Sequence, residues 1–219
     1  AMGGAVAASI ARALGAGDVA KAERLVWHAL ALALAGAAVL LALFLFGGKA
    51  FLRFLGGAGE VLAQSHTYAM LLLAGGVFLW LISTVSAIFR GMGEMQFPAA
   101  VMIFNALIQI PLSGCLILGW GGLPALGLSG AAISAVVSAA VLSVPLFFKL
   151  VRSNFPIHLR WSAMTFSKSD FNDILQVALP GALSPLLTVA TVLVLTAFVA
   201  SFGEAALAGY GIGSRVEFL

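Results

Sequence analysis

The sequence predicts an all-α protein, a polytopic bundle of transmembrane helices. Of its 219 residues 62% are hydrophobic and only 9% are charged, against about 25% charged in soluble domains. The apolar residues fall in runs of about 20 or more, the length a helix needs to cross the hydrocarbon of a bilayer. Residues 89–137 show the pattern most clearly: two such runs are joined by a Gly/Trp/Pro turn, with charge confined to the entry at Arg90 and Glu94. That reads as a transmembrane helical hairpin.

Taken in order, residues 2–14 predict the last turns of a helix, which ends at Gly15, Gly17 and Asp18. Glycine permits the turn there and aspartate can cap the helix that follows. An apolar opening without a basic leader suggests a cut helix rather than a signal peptide, and residues 209–219 break off in the same way. The chain therefore reads as a piece of a longer one. Residues 19–46 predict a second helix, with Lys21 and Arg24 outside the hydrocarbon and Trp27 near its boundary. In residues 47–60 glycines punctuate the chain beside Lys49, Arg53 and Glu60, so a break is expected, with Phe51 to Leu55 lying on the surface as a short amphipathic turn. A third helix is expected over 61–89, a fourth over 97–118 and a fifth over 126–150. Residues 151–172 are the most polar stretch and read as a linker between two bundles. A sixth span follows over 173–202, where Pro180 predicts a kink. Gly203 and Glu204 then turn into a last, incomplete helix.

Threaded back and forth, these spans put Arg12, Lys21, Arg24, Arg90, Lys149, Arg152, Arg160 and Lys168 on one side, and Lys49, Arg53 and Arg215 on the other. The first side is expected to be cytoplasmic. The net charge of +3 comes from scattered residues, with no Lys/Arg cluster that would track nucleic acid. Cys115 is the single cysteine, which excludes intrachain disulfides and cysteine-based metal clusters. His28, His66 and His158 fall near helix ends or in loops, far apart in sequence, and read as interfacial side chains rather than metal ligands. No acid, base or nucleophile lies near the middle of a complete span, so no catalytic residue is assigned and an enzyme is disfavoured. Gly15-Ala16-Gly17-Asp18 lacks the Lys-Ser/Thr that would make it a phosphate loop.

Polar residues recur at helical spacing inside the spans. They are Ser83 and Ser86, then Asn105, Gln109 and Ser113, then Ser134 and Ser138, and finally Ser184, Thr188 and Thr191. Two readings stay open for the hydroxyls: they line a shared cavity, or they bond their own helix carbonyls and let helices pack closely. For Asn105 and Gln109 the cavity reading is preferred, because an amide facing lipid goes unsatisfied.

Four stretches stand in register with a known family: ARALGAGD (11–18), FRGMGEMQFP (89–98), PALGLSGAA (124–132), and ALPGALSPLL with FGEAALAGYGIGSRVE (178–187 and 202–217). In order and spacing the chain resembles the multidrug and toxic compound extrusion (MATE) exporters, from the end of their second helix to the start of their eighth. The resemblance implies half of a twelve-helix transporter of the MOP superfamily. Residues 1–150 would complete a first six-helix bundle, 151–172 would link the bundles on the cytoplasmic side, and 173–219 would open the second. It further implies a monomeric multi-pass protein of the inner (plasma) membrane, among lipids, exporting small organic compounds without a resident cofactor or metal, in exchange for Na+ or H+. Lipid-linked oligosaccharide flippases of the same superfamily are the alternative, but the cationic cavity residues a pyrophosphate needs are not visible; a non-transporting scaffold is the other. The substrate cavity would take Asn105, Gln109, Ser113, Ser83, Ser86, Ser134, Ser184 and Thr188, with Pro180 as hinge. Gln109, Ser113 and Gly114 stand where many relatives carry Asn and, four residues on, Asp-Pro; Leu187 stands where sodium-coupled relatives carry Glu. The coupling acid is therefore expected outside residues 1–219, and the choice between Na+ and H+ stays open.

Overall fold

The computed structural model describes residues 2–54, 59–120, 124–152, 157, 165 and 167–217. They form eight helices: α1 (Met2–Gly15), α2 (Val19–Phe54), α3 (Gly59–Ala74), α4 (Gly76–Gly91), α5 (Gln96–Leu118), α6 (Leu128–Arg152), α7 (Lys168–Ala200) and α8 (Glu204–Glu217). Four are long and apolar enough to cross a membrane, and the bent pair of α3 and α4, taken as one span, has the length and composition of a fifth. The all-α, membrane-spanning architecture is the one the composition predicts.

Helix α4 sits at the centre. It packs on α1, α2 and α6, and its residues Thr84 to Phe89 are all buried. Around it Val6, Ile10, Leu25, Val26, Leu146 and Leu150 complete the core. Lipid is as apolar as these side chains, so what holds such helices together is close fit rather than escape from water. Gly91 shows how close: a Cβ there would lie 2.8 Å from the Ala7 carbonyl oxygen and 3.0 Å from Ile10 Cβ. Gly3 lies against Ala87 at an ordinary contact distance, 3.5 Å from a hypothetical Cβ, so α1 and α4 run parallel. At the α5–α6 crossing Gly130 meets the backbone of Leu116, where a Cβ would come within 2.7 Å.

The structure departs from the sequence reading at three element boundaries. Helix α2 does not break at Gly47; it continues through Gly47 and Gly48 to Phe54, so residues 51–54 are helix rather than a surface turn. At about 1.5 Å per residue it is about 54 Å long, well beyond the hydrocarbon thickness, and its charged ends project. In apolar surroundings leaving the helix strands backbone groups, so glycine alone does not end it. The predicted 61–89 helix is instead bent by 49° between α3 and α4. Gly75 stands at the bend, where Val136 of α6 occupies the space a side chain would need, 2.2 Å from a hypothetical Cβ. Third, α7 begins at Lys168, five residues ahead of the predicted 173. Ser167 caps it by accepting the Ser169 N–H.

Candidate functional site

On α5 the half-buried residues Asn105, Ile108, Gln109, Leu112 and Ser113 share a face, and the helix packs chiefly on α6. The opposite face carries Met102, Ile103, Phe104, Leu107 and Ile110, each more than half exposed. Asn105 Nδ2 donates to Gln109 Oε1 at 3.2 Å. Asn105 Oδ1 is buried without a hydrogen-bond partner among the described residues. A buried amide oxygen left unpaired costs about 1–3 kcal/mol, so the pair presents an acceptor that a donor would satisfy.

The hydroxyls behave differently. Ser134 and Ser138 are fully buried, and their Oγ atoms donate to the carbonyls of Ala131 (2.8 Å) and Ala135 (3.1 Å) on their own helix. That is the close-packing arrangement. Ser86 is buried in α4 while Ser83 is exposed. On α7, Ser184, Thr188 and Thr191 line a groove of about 600 Å³ together with Pro180, Leu187, Tyr210 and Ser214. Thr188 and Thr191 donate to the carbonyls of Ser184 and Leu187. Among the described residues α5 and α7 are not in contact. Of the predicted site residues, Asn105, Gln109 and Ser113 thus share a face of α5 and Ser184 and Thr188 line a groove with Pro180 between α7 and α8, whereas Ser83, Ser86 and Ser134 join neither.

A third polar constellation went unread in the sequence. His28, expected to be interfacial, is 0% exposed. Its Nδ1 lies 2.7 Å from the Arg24 carbonyl oxygen, which can only accept, so Nδ1 carries the proton. Nε2 then accepts the Ser167 N–H at 3.0 Å, and Phe171 packs edge-on against the ring at 4.4 Å. One turn back, Arg24 Nε donates to Asp170 Oδ2 at 3.0 Å. One further turn back, Lys21 Nζ pairs with Asp173 Oδ2 at 2.6 Å. Ser9 of α1 donates to the Asp173 carbonyl at 3.3 Å. As α7 advances through 167, 170 and 173, its partners on α2 recede through 28, 24 and 21. The opening turns of α7 therefore run back along the start of α2 toward the α1–α2 corner. The one available signal was Ser167 followed three residues later by Asp170, the spacing of a helix start. His66 lies half-buried and stacked on Phe44 at 5.5 Å; His158 lies outside the described residues.

The MatE family model matches residues 1–114, just over half of the chain. This chain belongs to the MATE family. The probable multidrug resistance protein NorM of Thermotoga maritima is 28% identical over 219 residues, covering 96% of this chain and 45% of that protein. A FAD transporter of Shewanella oneidensis is 27% identical, covering 99% and 48%. Among solved structures, the inward-facing conformation of a multidrug resistance MATE family transporter of the MOP superfamily superposes with a TM-score of 0.90 at 26% identity, covering 98% of this chain and 48% of that one. The chain thus spans about half the length of these relatives. As a MATE chain with several apolar spans it is a multi-pass membrane protein.

Proposed function

We propose that this chain forms the greater part of the first bundle and the opening of the second in an ion-coupled antiporter. It would export small organic, often cationic, compounds across the cytoplasmic membrane by alternating access. The observation that carries the reading is the α5 amide pair, because Asn105 Oδ1 offers a buried, unpaired acceptor to a donor-bearing solute within a family that includes named multidrug exporters. The groove on α7 and α8, with hydroxyls on apolar walls, supplies the combination of apolar area and a few polar contacts typical of small-molecule sites. Pro180 on its wall allows α7 to flex. Because a similar relative is named a FAD transporter, the charge of the substrate is what an assay must read.

Ethidium efflux from cells carrying the full-length protein tests this. Gln109→Leu keeps volume and removes hydrogen bonding, and is expected to slow efflux about 5- to 30-fold, corresponding to one lost bond of about 1–2 kcal/mol, at unchanged protein level. Ser134→Ala, whose hydroxyl bonds its own helix, is expected to leave efflux unchanged. Equal activity of Gln109→Leu and the wild type would refute the assignment of the α5 stripe, and no efflux from the wild type with ethidium or with an anionic flavin would favour a non-transporting scaffold.

A further inference from the structure

Helix α7 is held by the first bundle at one end. Among its described residues those that are buried are Asp170, Ile174 and Ala178, spaced by four and so on a single face. The cross-helix bonds and ion pairs described above reach α7 and its cap at positions 167, 170 and 173. Asp170 is 4% exposed, so its pairing with Arg24 is no surface decoration; a carboxylate this enclosed needs a cation. His28 meanwhile reaches the backbone N–H of the capping residue itself. Immediately beyond the docked turns come Pro180 and Pro185. Each lacks an N–H, so the carbonyls of Gln176 and Gly181, four residues earlier, lose their helical partners. Two such gaps within ten residues make this the most pliable stretch of the helix.

We propose that Ser167 to Ala178 is a latched segment, clasped by His28, Arg24 and Lys21 of α2 and Ser9 of α1. It would move with the first bundle, so that the mechanical boundary between the bundles lies inside α7, at Pro180 to Pro185, rather than in the polar linker before it. The proposal rests on the alternating-access reading and adds to it where the motion is taken up. A helix docked through three turns and weakened by two prolines takes up rotation beyond the weakened stretch. The clasp fixes the lower arm against which the upper arm bends.

Distance measurements between spin labels decide the matter in the full-length protein, with Cys115→Ser, reconstituted in vesicles. One pair, Ala20→Cys with Asn172→Cys, spans the latch; a second, Ala20→Cys with Ser201→Cys, spans the prolines, and all three sites are exposed. Distances are read at pH 5 and pH 8, with and without ethidium. The first pair is expected to hold one narrow population throughout while the second shifts between two. Adding Arg24→Met is expected to give the first pair a second, longer population, and Arg24→Lys to restore the single one. A first pair that shifts as far as the second overturns the latch while leaving alternating access intact. Two motionless pairs refute alternating access, and the latch with it. Should Arg24→Met fail to accumulate, the two pairs without that substitution decide alone.

Discussion

Among the described residues two ion pairs join α2 to α7, and the shorter one is expected to matter less. Lys21 and Asp173 lie 2.6 Å apart but keep about a third of each side chain exposed, at 36% and 32%. Such a pair is screened by water and is worth about 0–1 kcal/mol. Arg24 and Asp170 lie 3.0 Å apart, with the arginine side chain 33% exposed and the aspartate side chain only 5%. Arg24→Met leaves that carboxylate enclosed without its cation. Breaking a fully buried pair costs about 3–5 kcal/mol; since solvent reaches the arginine, about 2–3 kcal/mol is expected here. Lys21→Met is expected to cost less than about 1 kcal/mol. Arg24→Met combined with Asp170→Leu removes both charges and is expected to recover more than half of the loss. The assay is unfolding of the full-length protein by sodium dodecyl sulfate in mixed micelles, followed by tryptophan fluorescence. If Lys21→Met proves as damaging as Arg24→Met, or if the double change is no better than Arg24→Met alone, burial is not what sets the strength of this junction and the reasoning fails.

Two further outcomes follow from packing and charge. Gly91→Val drives a side chain into the Ala7 backbone, which cannot retreat without parting α1 from α4; a loss of about 1–3 kcal/mol or more is expected in the same unfolding assay. Gly4→Ala, with nothing within 4 Å, is expected to be neutral or stabilising by up to about 1 kcal/mol. For topology, in a full-length Cys115→Ser background, Glu60→Cys is expected to react with a membrane-impermeant maleimide on intact cells and Thr165→Cys only after lysis, because the basic residues cluster on the side of residue 165; the opposite pattern would invert the orientation.

The membrane-spanning helices were legible because hydrophobic length is a local property, and the α5–α6 hairpin needed only its two apolar runs and the Gly/Trp/Pro turn between them. That Asn105 and Gln109 share one face of α5 was legible for the same reason, as four-residue spacing is fixed by the helix itself. The bend at Gly75 was not, and the glycine there meets Val136, 61 residues away, in a close approach that no local spacing announces. Nor was the continuation of α2 through Gly47 and Gly48, where the cost of exposing backbone in apolar surroundings outweighed the helix-breaking tendency of glycine. The junction around His28 was the largest omission. Its partners Ser167 and Asp170 lie 139 and 146 residues from His28 and Arg24, and no spacing rule joins them. The buried serines divide the two readings of the polar spans: Ser134 and Ser138 turn to their own helix, whereas the Asn105 oxygen has no such recourse.

Coupled export is tested most directly by flux in vesicles. The full-length protein is reconstituted, an inward sodium gradient or a proton gradient is imposed in turn, and ethidium movement is recorded for the wild type and for neutralising variants of the eight acidic residues of this chain. An acid at membrane depth is the usual carrier of coupling. Glu94 caps the start of α5 through the Phe97 N–H, and Asp170 and Asp173 are tied to α2. The account predicts gradient-driven ethidium flux with one of the two ions, retained in every single neutralisation that leaves protein levels normal. Flux indifferent to both gradients, or abolished by one neutralisation in a well-folded variant, would contradict it.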